Sequence, residues 1–337
     1  MSGCFRPQSR SVWGAIALAL ALGITSCAST NTSNPAEVSS AETTDPEATA
    51  AVAAGENPSI VASYSVLCSM VEQIAADVLE PDCLISYDRD PHTYEATPSD
   101  RQAIEQADAV FYAGLNFEPS IIQMAEATTT PAPKVAVHEE AVGELIEVEG
   151  EGEVAPDPHI WHDVENGIRM VQLIEATLSG VDPTNAETYT RNATALISEL
   201  ERLDVWIPEQ IATIPENLRR LITTHDAMSY YARAYGLTVE GTLLGISTEE
   251  EPTAAQVKNL TDGIKTVGVP MVFAELTSND KVLRTVANEA GVEISKDVLI
   301  ADGIGEKGTP AGSYQGMLVY NTCTVVTGLG GECQPFE

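Results

Sequence analysis

Short apolar runs alternate with amphipathic stretches from residue 59 onward. The runs are rich in β-branched and aromatic residues, which is typical of buried strands. The stretches between them carry apolar residues at helical spacing, and Pro98-Ser99-Asp100 opens one of these helices with Ser99 as its cap. The predicted strands are 59–64, 83–87, 109–113, 134–137, 218–223, 239–244, 271–275 and 298–301. The other predicted helices are 66–78, 183–206, 228–235, 254–267, 280–290 and 316–327. This alternation predicts an α/β fold with parallel sheets covered by helices.

The run from Pro183 to Trp206 contains no further proline and no glycine, so it predicts one long, stiff helix. Strand–helix alternation occurs both before and after it. We therefore predict an N-terminal α/β lobe over 59–182, a linking helix over 183–212 and a C-terminal α/β lobe over 213–337, with the functional site in the cleft between the lobes.

The first 27 residues are typical of an export signal. Arg6 and Arg10 precede an apolar run over 12–24 that is too short for a comfortable transmembrane helix. Ile24-Thr25-Ser26-Cys27 resembles a bacterial lipobox, which predicts lipidation of Cys27; the alternative is an ordinary signal peptide that contains a cysteine. Residues 28–58 are rich in Ala, Ser, Thr, Glu and Pro and predict a flexible tether. We therefore expect an exported protein, lipid-anchored on the outer face of the cytoplasmic membrane, which is periplasmic in a Gram-negative cell.

The formal net charge is −33, from 17 basic and 50 acidic side chains. Such a chain repels phosphate backbones and anionic headgroups, which argues against nucleic-acid binding and polybasic membrane docking. A cationic ligand or partner suits this charge.

Four cysteines, Cys68, Cys83, Cys323 and Cys333, lie in the predicted exported body. In an oxidising compartment they allow two disulfides, and three pairings are possible. We favour the local pairing Cys68–Cys83 and Cys323–Cys333. A metal site made of these four thiols is disfavoured because no CxxC spacing occurs.

Three of the five histidines lie just past predicted strands. His92 follows the second strand, His159 lies in DPHIWHD after an acidic loop, and His225 ends the first strand of the second lobe. Asp302 ends the last strand in the same way. Because strand ends meet at the cleft in open parallel sheets, these side chains are a candidate ligand set for a divalent transition metal. A histidine at a strand end is often only a capping or hydrogen-bonding residue, so spacing alone leaves that alternative open.

Seven segments, in order, resemble the solute-binding lipoproteins of bacterial manganese/zinc ABC importers, the cluster of metal-binding receptors. They are DPHTYEATPSD (90–100), FYAGLNFEP (111–119), DPHIWHD (157–163), THDAMSYYARAYGL (224–237), GISTEEEPT (245–253), VPMVFAELTSND (269–280) and ADGIGEKGTPAGSYQGMLVYN (301–321). The family's four metal positions fall on His92, His159, His225 and Asp302.

The resemblance implies two lobes bridged by a rigid helix, and a monomeric receptor that is not an enzyme. It implies capture of Mn(II) or Zn(II) and delivery to a membrane permease. No Walker A motif occurs in the chain, so the ATPase is expected to be a separate polypeptide.

Two departures from the family pattern affect the prediction of which metal is bound. Manganese-type members usually have Glu where this chain has His225, and zinc-specific members usually have a His-rich acidic loop. Here the acidic loop over 139–157 contains no histidine, and it either raises the local cation concentration or is a solvated loop without a role. Three imidazoles and one carboxylate favour zinc, whereas GISTEEEPT and SYQGMLVYN look closer to manganese-type receptors; iron is a third, less favoured option.

Two further residues are candidates around the site. Glu275 ends a strand and is expected either to hydrogen-bond a ligating imidazole or only to cap the next helix. His162 is either an auxiliary residue of the site or a surface histidine.

Two other classes of function are disfavoured. A zinc hydrolase needs an open coordination position, and the chain has no HExxH motif. A receptor for an organic solute usually binds it in an aromatic-lined cleft, and only 5% of the residues in this chain are aromatic.

Overall fold

The computed structural model describes residues 57–150 and 153–337. The predicted signal segment, most of the predicted tether over 28–58, and Cys27 lie outside the described residues. Within the part that is described, no helix is both long enough and apolar enough to span a bilayer.

Ten strands and ten α-helices alternate through the described chain. The strands are β1 (Ile60–Tyr64), β2 (Asp82–Ile85), β3 (Ala109–Tyr112), β4 (Lys134–Ala136), β5 (Glu147–Gly150), β6 (Glu153–Pro156), β7 (Arg220–Thr223), β8 (Thr238–Thr242), β9 (Met271–Val272) and β10 (Glu293–Ile294). The helices are α1 (Ser65–Ala75), α2 (Pro98–Gln106), α3 (Pro119–Ala127), α4 (Val137–Ala141), α5 (Val164–Val181), α6 (Ala186–Ile211), α7 (Ser229–Tyr235), α8 (Ala254–Val267), α9 (Lys281–Ala290) and α10 (Tyr314–Gly328). The predicted α/β fold with parallel sheets is confirmed.

The N-terminal lobe is built on one four-stranded parallel sheet in the order β2-β1-β3-β4. All five residues of β1 are buried, as expected for a central strand that is covered on both faces. Thr97, not Ser99, caps α2: its hydroxyl accepts from the Asp100 backbone N–H, and Asp100 accepts in return from the Thr97 N–H.

The C-terminal lobe has a shorter and less regular sheet. β7 pairs with β8 and β9 with β10, all in parallel, and the Phe273 N–H donates to the Ile222 carbonyl to join the two pairs. The predicted strand 298–301 is wrong: only an isolated bridge between Glu275 and Leu299 forms there. The N–H and carbonyl of Ile300 pair instead with the side chain of Asn321, at 2.9 and 2.8 Å.

The long helix α6 links the two lobes and runs for about 39 Å at 1.5 Å per residue over its 26 residues. It packs along α5, α1 and α10. Helix α5, which the sequence analysis did not predict, is therefore a second long layer beside the linker. The exact lobe boundaries, 59–182 and 213–337, stay a prediction.

Two hydrophobic clusters divide the interior of the described chain. The larger one joins the N-terminal lobe, α6, α7 and α10, and the smaller one lies under α8 and α9. The C-terminal sheet separates them, since Leu221 and Phe273 belong to the larger cluster while Ile222 and Val272 belong to the smaller one. Disulfides join Cys68 to Cys83 and Cys323 to Cys333, with Cα–Cα distances of 5.9 and 5.2 Å.

Candidate metal centre

The four residues singled out at strand ends come together in the cleft. His92, His159, His225 and Asp302 each place one nitrogen or oxygen within 4.8 Å of the others. All four are buried, with at most 3% of any one exposed. They come from loops that follow β2, β6 and β7 and from the loop after Leu299, so both lobes contribute.

The distances between these atoms fit a single small cation. His159 Nε2 lies 3.3 Å from His92 Nε2 and 3.2 Å from His225 Nε2. Asp302 Oδ1 lies 3.8, 3.3 and 3.2 Å from the Nε2 atoms of His92, His159 and His225. A tetrahedron with metal–ligand bonds of about 2.0–2.1 Å has edges of about 3.3–3.4 Å. The cluster therefore has nearly the size of a four-coordinate transition-metal site.

Two carboxylates orient the imidazoles. Asp157 Oδ1 lies 2.8 Å from His159 Nδ1, and Glu275 Oε2 lies 2.5 Å from His225 Nδ1. These contacts assign the Nδ1 proton of each neutral imidazole to the carboxylate side, so both Nε2 lone pairs face the cluster. Glu275 thus orients a ligand candidate rather than capping the following helix, for which it makes no backbone contact among those described.

The electrostatics of the cluster also favour a positive charge at its centre. Burial by itself lowers the pKa of His225, but the carboxylates of Asp302 and Glu275 outweigh burial and raise that pKa well above its usual value. Burial likewise opposes ionisation of Asp302, yet the imidazoles hold the pKa of Asp302 well below its usual range. Asp302 Oδ1 has no hydrogen-bond partner among the described residues. A proton or a metal ion held between the Nε2 atoms would give this oxygen a bonding partner.

His92 is held differently from the other two histidines. Its ring packs edge-on against Phe117, with ring centroids 4.9 Å apart, and burial lowers its pKa to about 3. Phe117 reaches it through a turn in which Leu115 and Asn116 adopt positive φ angles of 53° and 58°. Those angles are uncommon for side-chain-bearing residues, so the turn is stabilised by its surroundings, including the Glu139 carboxylate that accepts from the Leu115 N–H.

His162 is fully buried, so the interpretation as a surface histidine is wrong. Its Nε2 lies 2.8 Å from the carbonyl oxygen of Ala301, the residue before Asp302. Ser65, at the start of α1, holds the other side of Asp302: its hydroxyl accepts from the Ile304 N–H at 3.1 Å. A Cβ at Gly303 would lie 2.6 Å from the Ser65 hydroxyl oxygen, so only glycine allows this close approach. The N-terminal lobe therefore fixes the segment that carries Asp302.

The roles of Asp90 and Asp157 were not predicted from the sequence. Each stands two residues before a histidine in a repeated Asp-Pro-His, and each accepts that histidine's backbone N–H at 2.9 Å. The repeat was visible in the sequence and was the signal for this arrangement. The residues differ in their second contact, which is the His159 ring for Asp157 and the Thr248 hydroxyl for Asp90.

A family model described as "ZnuA: Zinc-uptake complex component A periplasmic" matches residues 60–328. The chain belongs to this family. Manganese-binding lipoprotein MntA of Halalkalibacterium halodurans is 34% identical over 275 residues, covering 82% of this chain and 89% of that protein. Manganese ABC transporter substrate-binding lipoprotein PsaA of Streptococcus mitis is 30% identical over 285 residues, covering 82% and 91%.

Among solved structures, the periplasmic zinc-binding protein TroA of Treponema pallidum matches with a TM-score of 0.77 and 28% identity, covering 81% of this chain and 99% of TroA. The resemblance drawn from the seven sequence segments is thus confirmed. The chain is a substrate-binding receptor of the ABC-importer type and not an enzyme.

Proposed function

We propose that this chain captures Mn(II) or Zn(II) outside the cytoplasmic membrane, on His92, His159, His225 and Asp302, and delivers it to the permease of an ABC importer. The observation that carries the proposal is the convergence of three Nε2 atoms and one unpartnered carboxylate oxygen in a buried cluster. Such a cluster of lone pairs is costly to bury without a cation. Relatives named for manganese and a structural neighbour named for zinc support both cargoes.

The donor set bears on the choice between these metals. Three imidazoles and one carboxylate suit zinc, which also binds more tightly than manganese to nearly any nitrogen and oxygen site. A bidentate Asp302 would give manganese a fifth ligand, although its Oδ2 lies 3.4 Å from the Thr277 hydroxyl. The cargo in the cell therefore depends on supply as well as on affinity.

The family and the sequence support the following proposals for the anchor and the partners. We infer that Cys27 is lipidated and that residues 28–58 tether the receptor to the outer face of the membrane. The loaded monomer docks on a membrane permease, and a separate cytoplasmic ATPase drives transport. The two-lobed body joined by a long helix suits a modest closure around the ion rather than a wide hinge motion.

In the described part of the acidic loop, two short strands pair with each other shortly before His159. β5 and β6 form an antiparallel hairpin, and the Ile146 N–H donates to the Tyr230 hydroxyl, which in turn donates to the Asp157 carbonyl. We infer that this hairpin places its negative charge near the cleft and raises the local cation concentration.

Thermal unfolding of the metal-stripped protein tests the proposal. A ligand that binds only the folded state at about 100 times its dissociation constant stabilises it by about 2.7 kcal/mol. We expect Zn(II) and Mn(II), but not Mg(II), to raise Tm by a few degrees.

Two histidine variants make the test specific. His225→Ala should abolish most of the zinc-induced shift, measured from its own metal-free Tm. His138→Gln is the matched control, because His138 is equally buried but contacts Tyr64 rather than the cluster. The proposal is wrong if no transition metal shifts the wild-type Tm, or if His225→Ala keeps the full shift.

A further inference from the structure

Two parts of the C-terminal lobe differ in how they are joined to the N-terminal lobe. The inner part, which includes α7, is joined by several hydrogen bonds. The Tyr230 hydroxyl accepts from the Ile146 N–H at 2.9 Å, and the Tyr235 hydroxyl accepts from the Val164 N–H at 3.1 Å. The inner part is therefore attached to the N-terminal lobe at more than one point.

The outer part, residues 243–298, contains α8, α9 and most of the smaller hydrophobic cluster. Among the hydrogen bonds and ion pairs of the described residues, one joins it to residues 57–182: the Thr248 hydroxyl donates to Asp90 Oδ2 at 2.6 Å. Both residues are partly buried. Breaking this bond would leave no hydrogen bond or ion pair between these two described parts of the chain.

Packing beside this bond is loose. A cavity of about 110 Å³ lies next to it and is lined by both Asp90 and Thr248. Asp90 comes from the N-terminal lobe, and the other lining residues among those described belong to the C-terminal lobe. Side chains that border a gap lose part of their attractive contacts, so close packing between the lobes does not reinforce the bond at this point.

Asp90 connects this bond to a candidate ligand. Its Oδ1 accepts from the His92 N–H at 2.9 Å, while its Oδ2 accepts from Thr248. A carboxylate that is held at both oxygens is fixed in orientation, whereas one that is held at a single oxygen can rotate about χ2, which has broad minima. The bond from Thr248 therefore stabilises the contact through which Asp90 holds the His92 loop.

His92 depends on its backbone for its position more than the other two histidines do. Asp157 and Glu275 hydrogen-bond the Nδ1 atoms of those two, whereas no carboxylate among the described residues hydrogen-bonds Nδ1 of His92. Its Nε2 is also the farthest of the three from Asp302 Oδ1, at 3.8 Å. We therefore expect His92 to be the first imidazole to leave a bound ion.

We propose that Thr248 and Asp90 form a latch between the lobes, which holds His92 in place and sets how long the ion stays bound. The proposal rests on the proposed function, since it concerns retention of the cargo. Thr248 is a positioning residue, because it bonds Asp90 rather than any of the four candidate ligands. When the bond breaks, the Asp90 carboxylate rotates, residues 243–298 are free to move away, and His92 loosens its hold on the ion.

The rate of zinc release tests the latch, measured by stopped-flow mixing of the zinc-loaded full chain with an excess of a fluorescent chelator. Thr248→Val keeps the shape of the side chain but removes the hydroxyl. We expect it to speed release about tenfold, as for loss of one hydrogen bond to a charged group. Thr248→Ser, which keeps the hydroxyl, should restore slow release. The matched control Thr266→Val removes an exposed hydroxyl that bonds only within α8, and should change the rate less than about twofold.

A double-mutant cycle tests whether Thr248 acts through Asp90. Asp90→Ala should speed release at least as much as Thr248→Val, because it frees the His92 loop directly. Adding Thr248→Val to Asp90→Ala should then change the rate less than about twofold, since the bond is already absent. The inference is wrong if Thr248→Val releases zinc no faster than the wild type or the Thr266→Val control, or if it gives its full acceleration in the Asp90→Ala background. Failure of the wild type to bind zinc at all would instead overturn the proposed function.

Discussion

The two lobes present ligand candidates of the same kind on sheets of different regularity. In the N-terminal lobe, four parallel strands form one continuous sheet. In the C-terminal lobe, β9 and β10 have two residues each, and the strand before Asp302 is reduced to a single bridge. Continuous backbone pairing therefore forms the sheet of the first lobe, whereas in the second the side chain of Asn321 takes the place of strand pairing at Ile300.

Asp302 shows what this difference means for the site. It belongs to the C-terminal half of the sequence, but the residues on either side of it are held by His162 and Ser65 of the N-terminal half. His225 is held within its own lobe by Glu275, which accepts from the backbone N–H groups of Thr224 and His225. The segment of Asp302 is thus held from both lobes, since Thr277 and Asn321 of the C-terminal half also contact Asp302 and Ile300, whereas His225 is held within its own lobe.

Truncating a buried leucine in either hydrophobic cluster should change stability more than any other substitution considered. Leu67 in the larger cluster and Leu283 in the smaller one are both fully buried. Leu67→Ala should lower the free energy of unfolding by about 2–5 kcal/mol in chemical denaturation. Leu283→Ala should speed hydrogen exchange first in α8 and α9 while α1 and α6 stay protected. Uniform loss of protection in Leu283→Ala would show that the two clusters unfold as one.

The next largest effect concerns the carboxylate that orients His225. Glu275→Gln keeps the size of the side chain but weakens its hold on the imidazole and on two backbone N–H groups. We expect zinc affinity to fall about 10–100-fold by competition with a chelator. The Asp157 carboxylate contacts only His159, through its backbone N–H and its ring. We therefore expect Asp157→Asn to lower zinc affinity less than Glu275→Gln, near the lower end of that range. A larger loss for Asp157→Asn would contradict the view that the C-terminal lobe depends more on side-chain bonds.

The contact between His162 and Ala301 should matter less. His162→Phe preserves an aromatic ring and removes one hydrogen bond, which is worth about 1 kcal/mol. Because that bond fixes the segment of Asp302, zinc affinity should fall about fivefold, with faster zinc release in stopped-flow experiments. His138→Phe removes the contact with Tyr64 and serves as control, since it should lower stability without changing zinc release.

The smallest effect is the pH dependence of binding. The pKa of His225 is raised in the metal-free fold, so the stabilisation from its proton is complete below about pH 6.5 and is lost as pH rises through the raised value. A metal ion must displace this proton, and zinc affinity should therefore increase as pH rises. Calorimetry in buffers of different ionisation enthalpy should detect release of at least part of a proton. Binding that neither releases protons nor changes with pH would contradict the assignment of His225.

The sequence alone determined the layered α/β organisation and the four candidate ligands. Apolar periodicity sets strands and helices, and His92 and His225 follow strands of parallel sheets, whereas His159 follows β6 of an antiparallel pair and only an isolated bridge precedes Asp302. The repeated Asp-Pro-His was equally local, because each aspartate contacts a histidine two residues away.

The contacts that hold those candidates depend on tertiary packing. Glu275 lies 50 residues from His225, and His162 lies 139 residues from Ala301, so neither bond leaves a local pattern in the chain. The segment 298–301 has the composition of a strand, yet only Leu299 bonds the neighbouring backbone, and the N–H and carbonyl of Ile300 pair with the side chain of Asn321 instead. Periodicity records the preferences of single elements, whereas these contacts exist only once elements far apart in the chain have packed together.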